Sequence, residues 1–165
     1  MASVDYDPIK AHEYYEKHKK LKGRRSTKGF SDTQKAQWAY AKSQISEQHK
    51  AANAWITSEK KSKNADVTAK VKEQKAALTK QAKAKCDQLR AQLKSMTPAQ
   101  KKVMREKISG MIADVKEKSK ASKSRVSEVG KEAKAQIKDV AAQARTQEKA
   151  SYESKLDEAH KRIKG

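Results

Sequence analysis

The sequence predicts an all-α protein of elongated helices with thin apolar seams, arranged as a coiled coil or a helical hairpin. Only 35% of the 165 residues are hydrophobic and 5% are aromatic, which is too few for an ordinary compact core. Five glycines and two prolines leave few turns. Alanine, lysine, glutamate and glutamine, which favour helices, dominate the second half of the chain. Partial disorder is the competing interpretation, because low hydropathy and high net charge are typical of it.

The first segment, residues 1–30, is predicted to be a short helix followed by a basic loop. Asp7 can cap a helix that starts at Pro8 and runs to about Leu21, and Gly23 suits the position just after a helix end. This helix has too few apolar residues to be stable alone, so it must dock on another element or fray. We therefore expect a partly flexible helix-loop-helix at the N-terminus.

The second segment, residues 31–96, is predicted to be a long basic helix. Ser31 and Gln34 match a capping box, so this helix should start at Asp32. The polar stretch 58–70 is either a break or a weak part of the helix. Beyond it, apolar residues recur every eleven positions, with Val67, Leu78 and Leu89 in one row and Val71, Ala82 and Leu93 in another. An eleven-residue repeat keeps the seam nearly straight, and a seam this thin requires a partner helix.

Aromatic residues concentrate early in this second helix. Trp38 and Ile45 share one face, which either Trp55 or Ile56 continues. Trp38, Tyr40 and Trp55 could form a packing seam or a surface on which bases stack. Helical spacing of aromatics is more often a packing feature, so we expect the seam. Cys86 also falls on the predicted seam, as a small buried thiol.

The third segment, residues 97–165, is predicted to be a helical association segment. Thr97, Pro98 and Gln100 form a helix-start signal, which marks either a hairpin turn or a kink. The densest apolar cluster follows, and we expect helix association through Val103, Met104, Ile108, Met111, Ile112 and Val115. The seam is expected to end with Ile137, Val140, Ala144, Tyr152, Leu156 and Ile163. Because the seams of 67–96 and 99–116 are narrow, a dimer or higher assembly is favoured.

The formal net charge of +20 indicates an anionic partner. Lysine makes up 33 of the 40 basic residues, and lysine suits phosphate or nonspecific attraction better than base recognition. Residues 17–28 and 60–90 each carry +7, whereas 141–165 carry +2. The first of these stretches supplies the candidate partner- or phosphate-binding residues Lys17, Lys19, Lys20, Lys22, Arg24, Arg25 and Lys28. A solvated lysine face, or one matched to an acidic protein, explains the charge equally well.

No catalytic pattern is present, so we expect no enzymatic activity, cofactor or metal. The four histidines are scattered, and no Cys–His cluster has the spacing of a zinc site. The single cysteine, Cys86, excludes an intrachain disulfide and suits a reducing compartment. We also expect no membrane partner and no signal peptide, because the chain has no apolar run of the required length.

The N-terminal stretch "DYDPIKAHEYYEKHKKLKGRRSTKGFSDTQK" resembles the opening of small Lys-rich helical proteins from the head-assembly gene region of tailed phages of Gram-positive bacteria. The resemblance covers roughly residues 5–40. It implies a scaffold-like assembly role in the host cytoplasm or the prohead interior, with an acidic partner such as the coat protein. It also implies a docking element at Tyr14, Tyr15, Leu21 and Gly23, with Lys22 and Arg24 in the same motif.

Three other functions stay open at this point. The main alternative is a protein that binds or condenses nucleic acid without sequence specificity, through contacts to phosphates. A protein that inhibits one acidic host protein is a weaker alternative. The basic stretch at 17–28 also resembles a nuclear localisation signal, although short basic clusters occur by chance in a lysine-rich chain.

Overall fold

The computed structural model describes residues 25–165, which form two long α-helices and no strand. Helix α1 spans Asp32–Lys94 and helix α2 spans Pro98–Lys164. The two helices pack against each other, so the predicted all-α hairpin is confirmed. The predicted helix from Pro8 to Leu21 lies outside the described residues.

Both helix starts use the predicted capping boxes. The Ser31 backbone N–H donates to Gln34 Oε1 at 2.9 Å, and the Gln34 N–H donates to Ser31 Oγ at 3.1 Å. The same reciprocal pair joins Thr97 and Gln100, at 3.1 and 3.4 Å. Each pair satisfies two backbone donors that a helix start leaves unpaired. The polar stretch 58–70 does not interrupt α1, so of the two alternatives the continuous helix is the one formed.

The described residues divide into two compact units. The terminal unit combines the chain up to Lys61 with Ile137–Gly165, and the hairpin unit is Ser62–Gln136. Each unit holds one stretch of α1 packed beside one stretch of α2. In the hairpin unit, Ser95, Met96 and Thr97 connect the two helices. The signal at Thr97–Pro98 therefore marks a hairpin turn.

Burial along α1 follows the predicted eleven-residue repeat. The side chains withdrawn from solvent are spaced three, four and four residues apart and form a stripe along α1. Between residues 53 and 93 this stripe comprises Asn53, Ile56, Lys60, Asn64, Val67, Val71, Lys75, Leu78, Ala82, Cys86, Leu89 and Leu93. Three turns of about 3.67 residues bring the same face back after eleven positions, so the stripe does not drift around the helix. Cys86 is buried, as expected.

Helix α2 follows the same spacing, which sequence reasoning missed. Its stripe in the hairpin unit comprises Lys101, Met104, Ile108, Ile112, Val115, Ser119, Lys123, Val126 and Gly130. Because Ser119, Lys123 and Gly130 occupy stripe positions, apolar residues alone do not reveal the repeat. The stripe runs without a gap along this part of α2, although apolar, polar and charged residues alternate within it.

The register of α2 corrects two of the six predicted association residues. Val103 is 77% exposed and Met111 is 44% exposed, whereas their neighbours Met104 and Ile112 lie on the stripe. Each residue turns a helix by about 100°, so a shift of one position moves a side chain off the contact face. Ile108 and Val115 lie on the stripe as predicted.

Shifts of one position also correct predictions in the terminal unit. Val140 is 58% exposed and its neighbour Ala141 is buried instead. Ile56 is buried, and Trp55 is 62% exposed. Trp38 belongs to the core, but Tyr40 is exposed as well, so the expected seam of three aromatics is wrong for Tyr40 and Trp55.

Gly130 lies where α2 comes close to Val71 of α1 in the hairpin unit. A Cβ atom placed on Gly130 would lie 2.6 Å from Cγ2 of Val71. The branched side chain of valine has little rotamer freedom in a helix, so it cannot move aside easily. Gly110, in the same helix, differs because a Cβ atom placed there would meet no such neighbour within 4 Å.

We expect Gly130→Ala and Gly110→Ala to change stability in opposite directions. Alanine favours a helix interior over glycine by about 0.5–1 kcal/mol, and Gly110→Ala should gain that amount. Gly130→Ala should instead lower the free energy of unfolding by about 1 kcal/mol, because overpacking against Val71 outweighs the gain. Urea unfolding followed by circular dichroism measures both. Stabilisation by both substitutions would contradict the close approach at Gly130.

Candidate functional site

The described part of the predicted basic element begins at Arg25, whose guanidinium binds two carboxylates of α2. Arg25 Nε donates to Asp157 Oδ1 at 2.7 Å, and Nη2 donates to Glu153 Oε2. The two acids are four residues apart and therefore lie on one face of the helix. We call these three residues the arginine clasp.

The clasp keeps Arg25 charged. Partial burial acts to lower the pKa of the Arg25 guanidinium, but hydrogen bonds and charge attraction from Glu153 and Asp157 act the other way and leave the pKa raised. A raised pKa on a basic group stabilises the fold at every pH below the group's ordinary value. The clasp therefore keeps this contribution of Arg25 throughout the neutral range.

A small aromatic core lies next to the clasp. The His160 ring stacks on Phe30 and meets Trp38 edge-on, with ring centroids 5.3 Å apart in both cases. Because a carbonyl oxygen only accepts, His160 Nε2 carries the proton and donates to the Ser26 carbonyl at 3.0 Å. Leu156 completes the buried cluster. His160 is thus a packed and hydrogen-bonded core residue.

The turn before α1 is shaped to reach this core. The Phe30 N–H donates to the Thr27 carbonyl at 3.1 Å, and Gly29 has a φ of 87°. Glycine tolerates this left-handed conformation at no steric cost, so it suits this position of the turn. The turn directs Phe30 inward and leaves Lys28 exposed.

A second polar contact joins the helices further along the terminal unit. His49 stacks on Tyr152 at 4.4 Å, and its Nδ1 lies 3.3 Å from Glu148 Oε1. The Asn53 amide donates to His49 Nε2 at 3.1 Å, so the proton that binds Glu148 is on Nδ1. Sequence reasoning treated His49 as scattered, because Glu148 and Tyr152 are about a hundred positions away.

Of the predicted partner- or phosphate-binding residues, only Arg25 and Lys28 lie in the described part of the chain. Arg25 is engaged with Glu153 and Asp157, so a role in phosphate binding would require it to leave both carboxylates. Lys28 is exposed. The other predicted residues lie outside the described part of the chain, and their roles stay predictions: Lys17, Lys19, Lys20, Lys22, Arg24, Tyr14, Tyr15, Leu21 and Gly23.

Positive charge is concentrated in the hairpin unit. Residues 62–136 contain twenty Lys or Arg and eight Asp or Glu, a net charge of +12. Residues 25–61 and 137–165 together contain fourteen Lys or Arg and eight Asp or Glu. Seventeen of the twenty basic residues are exposed, and the other three, Lys75, Lys101 and Lys123, occupy stripe positions. The basic surface therefore includes α2 as well as the 60–90 stretch singled out from the sequence.

Residues 25–165 lack two further kinds of feature. No group of three or more His, Cys, Asp or Glu side chains is placed to hold a metal ion. Neither helix contains a stretch that is both long enough and apolar enough to cross a membrane.

Arg25→Gln should destabilise the terminal unit, whereas Lys28→Gln should not. Loss of the clasp should lower the free energy of unfolding by about 1–2 kcal/mol, a value reduced because the three side chains are partly exposed. Lys28→Gln removes the same charge and should change stability by less than about 0.5 kcal/mol. Urea unfolding in low and high salt tests this, because salt should shrink the difference between the variants. Equal stability of the two variants would exclude a structural role for the clasp.

Comparisons with protein-family models, curated proteins and solved structures found no match to this chain. The phage-protein resemblance of residues 5–40 therefore stays an expectation.

Proposed function

We propose that this chain is a non-enzymatic, strongly basic helical protein that docks electrostatically on an acidic protein partner during the assembly of a larger structure. The resemblance of residues 5–40 suggests phage head assembly as the setting, with the coat protein as the partner. The proposed place of action is the host cytoplasm or the prohead interior. Self-association into a dimer or higher assembly belongs to the same scaffold-like role.

The observation that carries this proposal is the charge of the hairpin unit. Its net charge of +12 falls on 75 residues, and most of its basic side chains are exposed. Such a surface attracts an acidic partner over a distance of about one Debye length and speeds the encounter. Lysine ammonium groups stay hydrated and mobile, so each contact is weak. Many weak contacts give reversible binding, which a scaffold requires.

The packing of the helices supports the same role. The stripes of α1 and α2 cover each other within one chain, so the charged faces stay available for a partner. The stripe takes about three of every eleven positions, and the others can carry charge along the whole helix. Most stripe side chains stay partly exposed, so the stripe still offers apolar surface through which a second chain could associate.

The test is co-sedimentation of the full chain with the coat protein encoded in the same genome. We expect association at about 0.05 M salt and its loss at about 0.5 M, because screening removes charge attraction. Lys70→Gln, Lys72→Gln and Lys85→Gln combined should weaken binding about tenfold, given up to about 1 kcal/mol for each exposed contact. Lys42→Gln, Lys50→Gln and Lys161→Gln combined, in the terminal unit, are the matched control and should have less effect. Absence of association in low salt, or equal weakening by both triple variants, would overturn the proposal.

Binding to nucleic acid is the second candidate, and the dense positive charge on exposed helix faces favours it. Such binding would contact phosphates without recognising sequence. We expect the affinity for a short DNA duplex to fall with salt at a logarithmic slope of about −2.7 or steeper, which corresponds to three released counterions. Fluorescence anisotropy over a salt series measures the slope, with a scrambled duplex of equal length as the control. A shallower slope, or a clear preference between the two duplexes, would count against this candidate.

A further inference from the structure

The hairpin unit contains a groove between α1 and α2 with a volume of about 250 Å³. Its lining consists of Thr79, Ala82, Lys116, Ser119, Lys120 and Lys123. Three of these six residues are lysines, one is a serine, and none is acidic. A space of this size holds several water molecules or one oxyanion.

The Ser119 hydroxyl is the first unusual feature of the groove. Its Oγ atom is buried and has no hydrogen-bond partner among residues 25–165. Thr57, Thr68 and Thr79 behave differently, since each hydroxyl donates at 2.9 Å to the backbone carbonyl four residues earlier. A buried hydroxyl without a partner is costly, so a ligand or an ordered water molecule that accepts a hydrogen bond from Ser119 would be favoured here.

The three lysines are the second feature, and they are independent of the first. Lys116, Lys120 and Lys123 follow the spacing i, i+4 and i+7, which places them along one face of α2. Lys123 is partly withdrawn from solvent at a stripe position, whereas the other two are exposed. Positive charge beside a partly desolvated wall favours an anion more strongly than the same charge in open water.

We infer that this groove binds a phosphate group. A phosphate offers several acceptor oxygens, which can take hydrogen bonds from lysine ammonium groups and from the Ser119 hydroxyl together. Thr79 already donates to the Lys75 carbonyl, so it contributes shape to the wall opposite the lysines. A metal cation is disfavoured because the lining contains no carboxylate. The phosphate could be inorganic phosphate or a phosphodiester of a nucleic acid, which share this chemistry.

Sequence analysis missed the groove because the segment from Lys116 to Arg125 is rich in serine and lysine and has few apolar residues. The lysine spacing was visible in the sequence. The missing information was that α1 supplies Thr79 and Ala82 as the opposite wall. This inference does not rest on the proposed function, since a chain that docks on an acidic protein can still bind phosphate here.

The experiment is a titration of the full chain with inorganic phosphate at constant ionic strength, followed by amide chemical shifts. We expect saturable shifts at Ser119 and at residues 79–82. Lys116→Gln, Lys120→Gln and Lys123→Gln combined should weaken binding about tenfold or more, because charged hydrogen bonds are lost. Lys131→Gln, Lys134→Gln and Lys138→Gln combined remove the same charge from α2 outside the groove and should weaken it less than about twofold.

Ser119→Ala separates a binding role from a structural one. It should weaken phosphate binding about threefold or more while thermal stability holds or rises, because the change removes a buried unpaired hydroxyl. Ser127→Ala is the control, since that hydroxyl already donates to the Lys123 carbonyl at 3.2 Å. Absence of saturable shifts, equal weakening by the two lysine sets, or unchanged affinity in Ser119→Ala would each overturn the inference.

A DNA duplex added to the phosphate-loaded chain distinguishes the two sources. Displacement of phosphate from the Ser119 signals, together with weaker DNA binding by the groove variant than by its control, would assign the groove to a phosphodiester. Phosphate binding that DNA does not displace would assign it to a small phosphate. Both results support the phosphate site, whereas the outcomes given above contradict it.

Discussion

The rest of the structure depends on one constraint, the three-four-four spacing of the stripe along α1 and along residues 101–130 of α2. A helix of more than sixty residues with so few apolar side chains relies on packing against another element for most of its stability. It becomes stable when a second helix covers its stripe over many turns. An eleven-residue repeat makes this possible because the stripe stays on one side without drifting. Neither helix needs a second apolar face in order to pack against the other helix.

The stripe also determines which residue types are allowed at each position. Gly130 is required where Val71 comes close, since no larger side chain fits there. Lys75, Lys101 and Lys123 can occupy stripe positions because a lysine places its aliphatic stem along an apolar surface and its ammonium in water. The contact face therefore tolerates charge at these positions.

Much of the fold could be predicted from local sequence, because local rules decide those features. The capping residues Ser31 and Thr97 and the repeat in α1 depend only on neighbours within eleven positions. The choice between Val103 and Met104, or between Val140 and Ala141, depends on the register of the opposite helix, which the sequence alone does not give. The arginine clasp could not be predicted from the sequence for the same reason, since Arg25 and Asp157 are 132 positions apart. The groove depends on both kinds of information. Its lysine spacing is local in the sequence, whereas its opposite wall comes from residues of α1 that are distant in the sequence.

Charge and packing act against each other in this chain, and a polyanionic partner changes their balance. Folding brings the basic residues of the hairpin unit closer together than they are in an extended chain, so self-repulsion opposes the folded state. The thin stripe offers limited apolar burial to offset that repulsion. A phosphate or an acidic protein surface binds more tightly where the positive charge is denser, which is the folded state. By mass action such a partner would stabilise the helix pairing, which would link the proposed binding surface to the stability of the fold.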